Sequence, residues 1–349
     1  MKLAPEVRKV QLTGGATLIV SLPKDWVRVV NLKPGEEVLI IPQPDLSLLL
    51  VPKKGMKIFP SEIVLDVTKE QSIERITRMI LAHFVAGYDI IKVRFSPNTI
   101  SLRKAVKEIV RRKMVGAEII SESSDELTIQ CLVSYKEVPI SKLVERMAII
   151  ADAMYFDALK SLIENKKDLA RDVIERDDEV DRFYWLAVRQ LKKAVLGKEA
   201  LTEIGLKDPR QCLGYRIVAK SIERIADHAS KIASAALKIG EKIPSELAKS
   251  ILEYAEYARS IFNDAVKAFQ KVSGDLAQSV MDRVLQIPSK EEELLIKIVG
   301  LNLSPITVAE LRIVLDSIRR VAEYSADISE ITIHLGVEEK QVASLPLQQ

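Results

Sequence analysis

A repeated pattern in the C-terminal part of the chain constrains its fold more than any other feature. Three matches carry the repeat: residues 155–162 with 262–269 and 168–176 with 275–283 at an offset of 107, and 220–228 with 316–324 at an offset of 96. Apolar residues recur in each matched segment at the spacing of an amphipathic helix. We therefore predict an all-α domain over residues 141–336, made of two three-helix bundles in tandem, 141–240 and 244–336.

The first 54 residues have a different pattern, typical of short β-hairpins. Apolar-rich runs at 6–13 and 17–22 flank the pair Gly14-Gly15, Pro23 opens a short helix over 24–31, and two further runs at 36–41 and 46–51 flank a turn at 42–45. So short a segment buries too little apolar surface to be stable alone. We expect it to pair with a second copy of the chain.

Residues 55–140 alternate strand and helix patterns, which predicts a small α/β domain. A ferredoxin-like arrangement is one possibility for it. The basic run Arg111, Arg112 and Lys113 falls at the end of its second helix, and we interpret it as a solvated helix end. Residues 337–349 are expected to form a tail.

Charge and composition narrow the class of protein. Hydrophobic residues make up 48% of the 349 residues and charged residues 29%, which is typical of a globular protein. The net charge of +3 excludes a strongly cationic nucleic-acid coat protein. The excess of positive charge lies in the N-terminal part of the chain: the net charge is +3 in residues 1–54, +2 in 55–140 and −2 in 141–349.

The two cysteines, Cys131 and Cys212, are too few for a disulfide scaffold or a cysteine-rich metal site. The longest uncharged stretch, residues 10–23, is shorter than the roughly 18 residues that a membrane span needs, and the first residues lack the apolar core of a signal peptide. We therefore expect a cytoplasmic protein.

Two acidic pairs in the first helical copy are candidate metal ligands. Asp177 and Asp181 are four residues apart on one predicted helix, and Glu223 and Asp227 repeat that spacing on the next long helix. Carboxylates at this spacing repel each other, and two such pairs on adjacent helices could bind a cation. The alternative is that they are solvated surface acids. Asp177 falls within an apolar stripe, whereas Glu223 and Asp227 lie opposite one, which predicts exposure and a site near the surface.

The second copy serves as an internal control. It has Val284, Pro288 and Arg319 where the first has Asp177, Asp181 and Glu223, and it keeps an acid, Glu323, at the position of Asp227. Because the second copy keeps the helical pattern without these acids, we infer that packing does not require them. One copy could bind metal, and the other has lost most of its ligands.

The repeated unit resembles the PhoU family of phosphate-uptake regulators, and the string Ile-Glu-Arg-Ile-Ala-Asp-His at 222–228 carries the resemblance best. The resemblance implies tandem three-helix bundles that bind a metal ion such as Mg, Mn, Fe or Zn through Asp177, Asp181, Glu223 and Asp227. It also implies partners, namely the ATPase of a phosphate ABC transporter or a sensor kinase.

The N-terminal segment is similar to the AbrB/SpoVT swapped-hairpin family. The similarity lies in Arg8-Lys-Val-Gln-Leu-Thr-Gly-Gly, in Leu22-Pro-Lys-Asp-Trp and in the turn Leu32-Lys-Pro-Gly. It implies an intertwined homodimer in which Arg8, Lys9, Lys24 and Arg28 contact the DNA backbone. A dimerisation module with ordinary surface charges is the alternative.

Together these features predict a homodimeric, metal-binding regulator of phosphate uptake. A DNA-binding transcription factor in which the helical domain is only a scaffold remains a second hypothesis. An enzyme is not expected, because the chain has no Glu-x-x-His pair, no Gly-rich phosphate loop and no Ser/His/Asp arrangement.

Overall fold

The computed structural model describes residues 4–42, 46–53, 61–97, 99–133, 137–196 and 198–344, without the side chains of 198, 199 and 338–344. The chain divides into two compact units, residues 1–60 and 61–349. The second unit contains both the predicted α/β domain and the predicted helical domain. Among the described residues, no helix is long and apolar enough to cross a membrane.

The first unit consists of two hairpins and a short helix, as predicted, with shorter strands. Its elements are β1 (Gln11–Thr13), β2 (Thr17–Ile19), α1 (Lys24–Val29), β3 (Val38–Pro42) and β4 (Leu48–Pro52), with β1 paired to β2 and β3 to β4, both antiparallel. Gly14 and Gly15 have φ angles of 59° and 86°, a region that glycine enters without strain, and they form the first turn. The predicted turn at 42–45 lies mostly outside the described residues.

This unit has an exposed apolar surface. None of its described residues is fully buried, and Leu12 and Leu18, which face each other across the first hairpin, are 65% and 68% exposed. Strands of this kind are stable only when something covers them.

The second unit begins with a four-stranded sheet and two helices. Its elements are β5 (Glu62–Val67), α2 (Ile73–Ala86), β6 (Ile90–Phe95), α3 (Ile100–Lys113), β7 (Ala117–Glu122) and β8 (Glu126–Cys131). The strand order is β5-β6-β8-β7, with β5 parallel to β6 and the other pairs antiparallel. A ferredoxin-like fold has the element order βαββαβ, so that prediction is wrong; here both helices precede a final β7–β8 hairpin.

The helical domain contains the predicted repeat. The first copy consists of α4 (Ile140–Ile163), α5 (Lys167–Ala194), the short α6 (Lys198–Glu203) and α7 (Gln211–Lys238); the second consists of α8 (Ser245–Lys271), α9 (Gly274–Val284), α10 (Ile287–Val299) and α11 (Pro305–Ser344). The long α5 corresponds to α9 plus α10, which are separated just before Pro288 in the first turn of α10. The predicted end of the helical domain at residue 336 is wrong, because α11 continues to Ser344.

Equivalent residues of the two copies make equivalent contacts within each copy. Arg176 pairs with Asp157 in the first copy, and Arg283 pairs with Asp264 in the second, both at 2.6 Å and both related by the offset of 107. The repeat is therefore a repeat of structure as well as of sequence.

Equivalent residues also meet each other between the copies. Asp152 and Arg259, which the offset of 107 relates, form a two-pronged ion pair between α4 and α8, with both N–O distances 2.8 Å. His228 and Tyr324, which the offset of 96 relates, have ring centroids 5.9 Å apart between α7 and α11. An approximate two-fold axis thus relates the two bundles.

Candidate metal site

Five acidic side chains gather where α5 packs on α7. Asp177, Asp178 and Asp181 belong to α5, and Glu223 and Asp227 belong to α7. The four predicted ligands therefore lie on two packed helices of the first copy, and Asp181, Glu223 and Asp227 are close enough to Asp177 for their charges to act on it.

Mutual repulsion and burial act on Asp177 most strongly. Its carboxyl is partly buried, and burial together with the charges of the four neighbouring acids raises its pKa from 3.8 to about 7. Asp227 and Asp181 make the largest charge contributions after burial. An ionised Asp177 is thus disfavoured unless a cation lies nearby.

The other three predicted ligands also have raised pKa values, with burial as the main cause. For Asp181 and Glu223, nearby lysines offset part of the effect, and for Asp227 the offset comes from Lys220, Lys231 and Arg224. Four carboxyls whose pKa values are all raised form a site that favours binding of a positive charge.

Glu223 lies deeper than its position on the helix predicts. Only 7% of it is exposed, and Asp227 is half-buried. The prediction of exposure is wrong for Glu223 because α7 packs against α4, α5 and α11, so that little of its circumference faces solvent. A helical wheel assumes one buried face, and α7 has several.

Two lysines and an arginine already pair with this cluster. Lys113 Nζ lies 3.4 Å from Asp181 Oδ2 and 3.6 Å from Asp178 Oδ1, and Arg112 pairs with Asp178. Lys220 pairs with Glu223 from the same helix. The prediction of a solvated helix end is therefore wrong for Arg112 and Lys113, because both pair with acids of α5.

The residues present fit a hard cation in their chemistry but are not arranged around one. Carboxylate oxygens are the donors that such ions prefer. No three His, Cys, Asp or Glu side chains in the described parts of the chain converge as metal ligands. The lysine contacts at Asp181 and Glu223 show how the carboxylates are neutralised in this arrangement.

The corresponding place in the second copy contains an arginine of the chain itself. Arg319, at the position of Glu223, has its Nε 2.9 Å from Glu291 Oε2 and also pairs with Asp316 and Glu323. Glu291 is buried and forms a second ion pair, with Arg312. A guanidinium thus supplies the positive charge that these acids need.

A buried arginine that the sequence analysis missed joins the α/β part to α5. Arg189 is 1% exposed and donates to the carbonyl oxygens of Phe84 and Tyr88, at 2.6 and 2.8 Å, where α2 ends. Asp89 pairs with Arg189 at 3.2 Å and with Lys193 at 2.6 Å. The sequence feature that could have revealed this residue is that Arg189 is the only charged residue in the largely apolar run 184–191.

The four cations predicted to contact DNA lie on the surface of the N-terminal unit. Arg8, Lys9, Lys24 and Arg28 are all exposed. Arg8 pairs with Glu6, and Arg28 lies 3.5 Å from Asp25. Contact with DNA stays a prediction.

Comparison with known protein families decides the identity of the helical part. The family model described as "PhoU domain" matches residues 144–236 and 251–332, which are the two structural copies and together make up half of the chain. The chain belongs to the PhoU family. A second model, described as "Antidote-toxin recognition MazE, bacterial antitoxin", matches residues 11–57. The predicted combination of a PhoU domain with an N-terminal hairpin domain is thereby confirmed.

The relatives found by sequence similarity are also PhoU homologues. The chain is 29% identical over 143 residues to a protein named "Phosphate-specific transport system accessory protein PhoU homolog" in two strains of Caulobacter vibrioides. That match covers 39% of this chain and 57% of the relative's length.

Two solved PhoU structures have the same fold as the helical part. PhoU from Pseudomonas aeruginosa matches with a TM-score of 0.51 and 21% identity, over 57% of this chain and 96% of that one. The phosphate transport system regulatory protein PhoU from Streptococcus pneumoniae matches with a TM-score of 0.50 and 20% identity, over 59% and 95%.

Proposed function

We propose that this PhoU-family chain is a metal-responsive regulator of phosphate transport that acts as a homodimer. The observation that supports it best is the acidic cluster of the first copy, where four carboxyls with raised pKa values lie within one PhoU domain. The names of the relatives supply the link to phosphate transport. The role is regulatory rather than catalytic.

Asp177, Asp181, Glu223 and Asp227 would hold the metal ion. An all-oxygen donor set suits Mg, Mn or Fe and also admits Zn. The bound ion would supply positive charge that relieves the repulsion among the carboxylates and ties α5 to α7. Filling the site would thereby change the packing of two long helices.

A single site per chain is proposed, in the first copy. In the second copy Arg319 already neutralises Glu291, Asp316 and Glu323, which leaves no comparable excess of negative charge there. The two copies have diverged into one that requires an external cation and one that contains its own.

Metal analysis tests this part of the proposal. After equilibrium dialysis against Mn²⁺, the wild-type chain should retain about one ion, and Asp177→Ala/Asp227→Ala should retain almost none because it lacks one ligand from each helix. Asp282→Ala, which removes an exposed acid of the second copy, is the matched control. Equal and negligible metal in all three proteins would refute the metal site.

Phosphate uptake in the native host tests the regulatory part. A strain lacking this chain should take up phosphate at an altered rate, which the wild-type chain and Asp282→Ala restore but Asp177→Ala/Asp227→Ala does not. Unchanged uptake in the deleted strain would contradict the role. Co-purification from that host should show whether the partner is a transporter ATPase or a sensor kinase.

The second candidate is a DNA-binding transcription factor, favoured by the exposed cations of the N-terminal hairpin unit. Binding to promoters of phosphate genes should weaken with salt and with Arg8→Ala and Lys24→Ala, since these residues would meet backbone phosphates twice in a dimer. Absence of binding at low salt would remove this hypothesis.

A further inference from the structure

A cavity separate from the acidic cluster lies between α3, β7 and α5. Its volume is about 410 Å³, and its lining includes Lys107 and Arg111 of α3, Glu118 and Glu122 of β7, and Arg182 of α5. Pockets for small molecules commonly have volumes of roughly 300 to 1,000 Å³. The cavity is therefore large enough for a small organic ligand.

Positive charge exceeds negative charge around this cavity. Lys107, Arg111 and Arg182 face two acids, and Glu122 is already paired, 2.6 Å from Lys107 and 3.8 Å from Arg103. Arg111 makes only a long contact of 3.5 Å with the exposed Glu108. Two guanidinium groups at the cavity are thus available to an anion.

Arg182 provides the observation that points to a ligand. Its Nε is buried and has no hydrogen-bond partner, and its guanidinium forms no ion pair with any residue in the described part of the chain. The other arginines of α5 each pair with an acid, and this holds for Arg176 even though its Nε also lacks a partner. Arg182 lines the cavity and is only partly buried, so its guanidinium, which no described acid neutralises, is available to an anionic ligand there.

We propose that this cavity binds the phosphate group of a small molecule. Guanidinium groups present paired N–H donors that match phosphate oxygens, and a phosphate dianion can use the charges of Arg111 and Arg182 together. The cavity would hold either free inorganic phosphate or the phosphate of a nucleotide, and the volume favours the larger ligand. This binding site does not depend on the metal site.

Calorimetric titration of the full chain tests the proposal. The two probes are inorganic phosphate and adenosine triphosphate, and a chelator first removes divalent metal. At least one should bind. Binding of triphosphate alone assigns the site to a phosphorylated organic molecule, binding of phosphate assigns it to the free ion, and absence of binding by both overturns the proposal.

Substitutions locate any binding that is observed. Arg182→Gln should weaken the bound probe by about tenfold, because it removes a charged donor, while Glu118→Gln should tighten it by about threefold, because it removes a repelling charge. Arg171→Gln, an exposed arginine of the same helix outside the cavity, should change nothing. Arg111→Gln provides a second loss variant in case Arg182→Gln fails to fold. Unchanged affinity in a folded Arg182→Gln or Arg111→Gln would overturn the proposal.

Discussion

At the scale of single residues, the first copy contains more negative charge than its surroundings favour. Asp177 shows this best, since it faces four other acids from a partly buried position. Lysines relieve part of the repulsion at Asp181 and Glu223, whereas all the main contributions at Asp177 raise its pKa. Among the four predicted ligands, Asp177 is therefore the one whose ionisation is most disfavoured.

We predict that Asp177→Asn stabilises the chelator-treated protein at pH 8 but not at pH 4. The pKa of Asp177 is 3.8 ordinarily and about 7 in the fold, so ionisation destabilises the folded state as the pH rises through that interval. Below pH 3.8 the carboxyl is protonated in both states and the effect vanishes. The gain at pH 8 should be about 2 kcal/mol, roughly half of an unscreened shift, because the group is partly exposed.

Urea denaturation at both pH values measures this difference, with Asp282→Asn as the control for loss of an exposed acid. An equal change at pH 4 and pH 8, or a loss of stability at pH 8, would show that repulsion at Asp177 is not what limits the fold.

The candidate ligands could be predicted from sequence, whereas the cations that meet them could not. Comparing the two copies reveals that Asp177 and Glu223 are replaced in the second, by Val284 and Arg319, which marks them as dispensable for packing. Lys113 lies 68 residues before Asp181, and only the docking of the α/β part on α5 brings the two together. Neither spacing nor periodicity contains that information.

At the scale of elements, the end of α3 links two parts of the second unit. Arg112 and Lys113 hold α3 to the acids of α5, while Arg189 and Lys193 hold the end of α2 and Asp89 to the same helix further along. The α/β part is thus attached to α5 at two points. One of these points is the candidate metal site itself.

We predict that Lys113→Met binds Mn²⁺ about tenfold more tightly than the wild type, because a competing positive charge has been removed from the carboxylates. Lys104→Met, an exposed lysine of the same helix, is the control. Hydrogen exchange at the end of α3 should rise when Mn²⁺ is added to the wild type. If Lys113→Met binds Mn²⁺ with the same affinity as the wild type, the ion and the lysine do not compete.

Helix boundaries show where sequence patterns succeed and fail at this scale. Gly87 follows α2 with a φ angle of 101°, the left-handed conformation in which a glycine commonly ends a helix. Gly336 instead lies inside α11 and packs beside Val272, at the end of α8. Sequence alone does not distinguish a glycine that ends a helix from a glycine inside one.

At the scale of the whole molecule, the two units differ in how well they bury their apolar residues. The helical bundles bury long stripes, whereas the hairpin unit leaves Leu12, Leu18 and their neighbours in solvent. A second copy of the chain is the partner expected for such strands, since the exposed hairpins can pair with their counterparts.

We therefore predict that the wild-type chain is a dimer and that Leu12→Asp/Leu18→Asp is a monomer whose second unit, residues 61–349, stays folded. The two side chains face each other across one hairpin, so the charges would repel within it and prevent burial against a partner. Light scattering after size-exclusion chromatography measures the mass, and Arg8→Ala, which keeps the apolar surface, should remain dimeric. A wild-type monomer would refute the predicted dimer, and a variant that still dimerises would place the interface elsewhere.

The ion pair between Asp152 and Arg259 has a consequence for how this bundle arose. At a perfect two-fold axis a residue meets its own copy, so two separate identical bundles would bring aspartate against aspartate or arginine against arginine. Because the two copies are separate positions of one sequence, they can change independently and become complementary. The same independence let one copy retain the acids Asp177 and Glu223 while the other acquired Arg319. A separated first bundle that paired with itself would place Asp152 against Asp152 and could not form this ion pair.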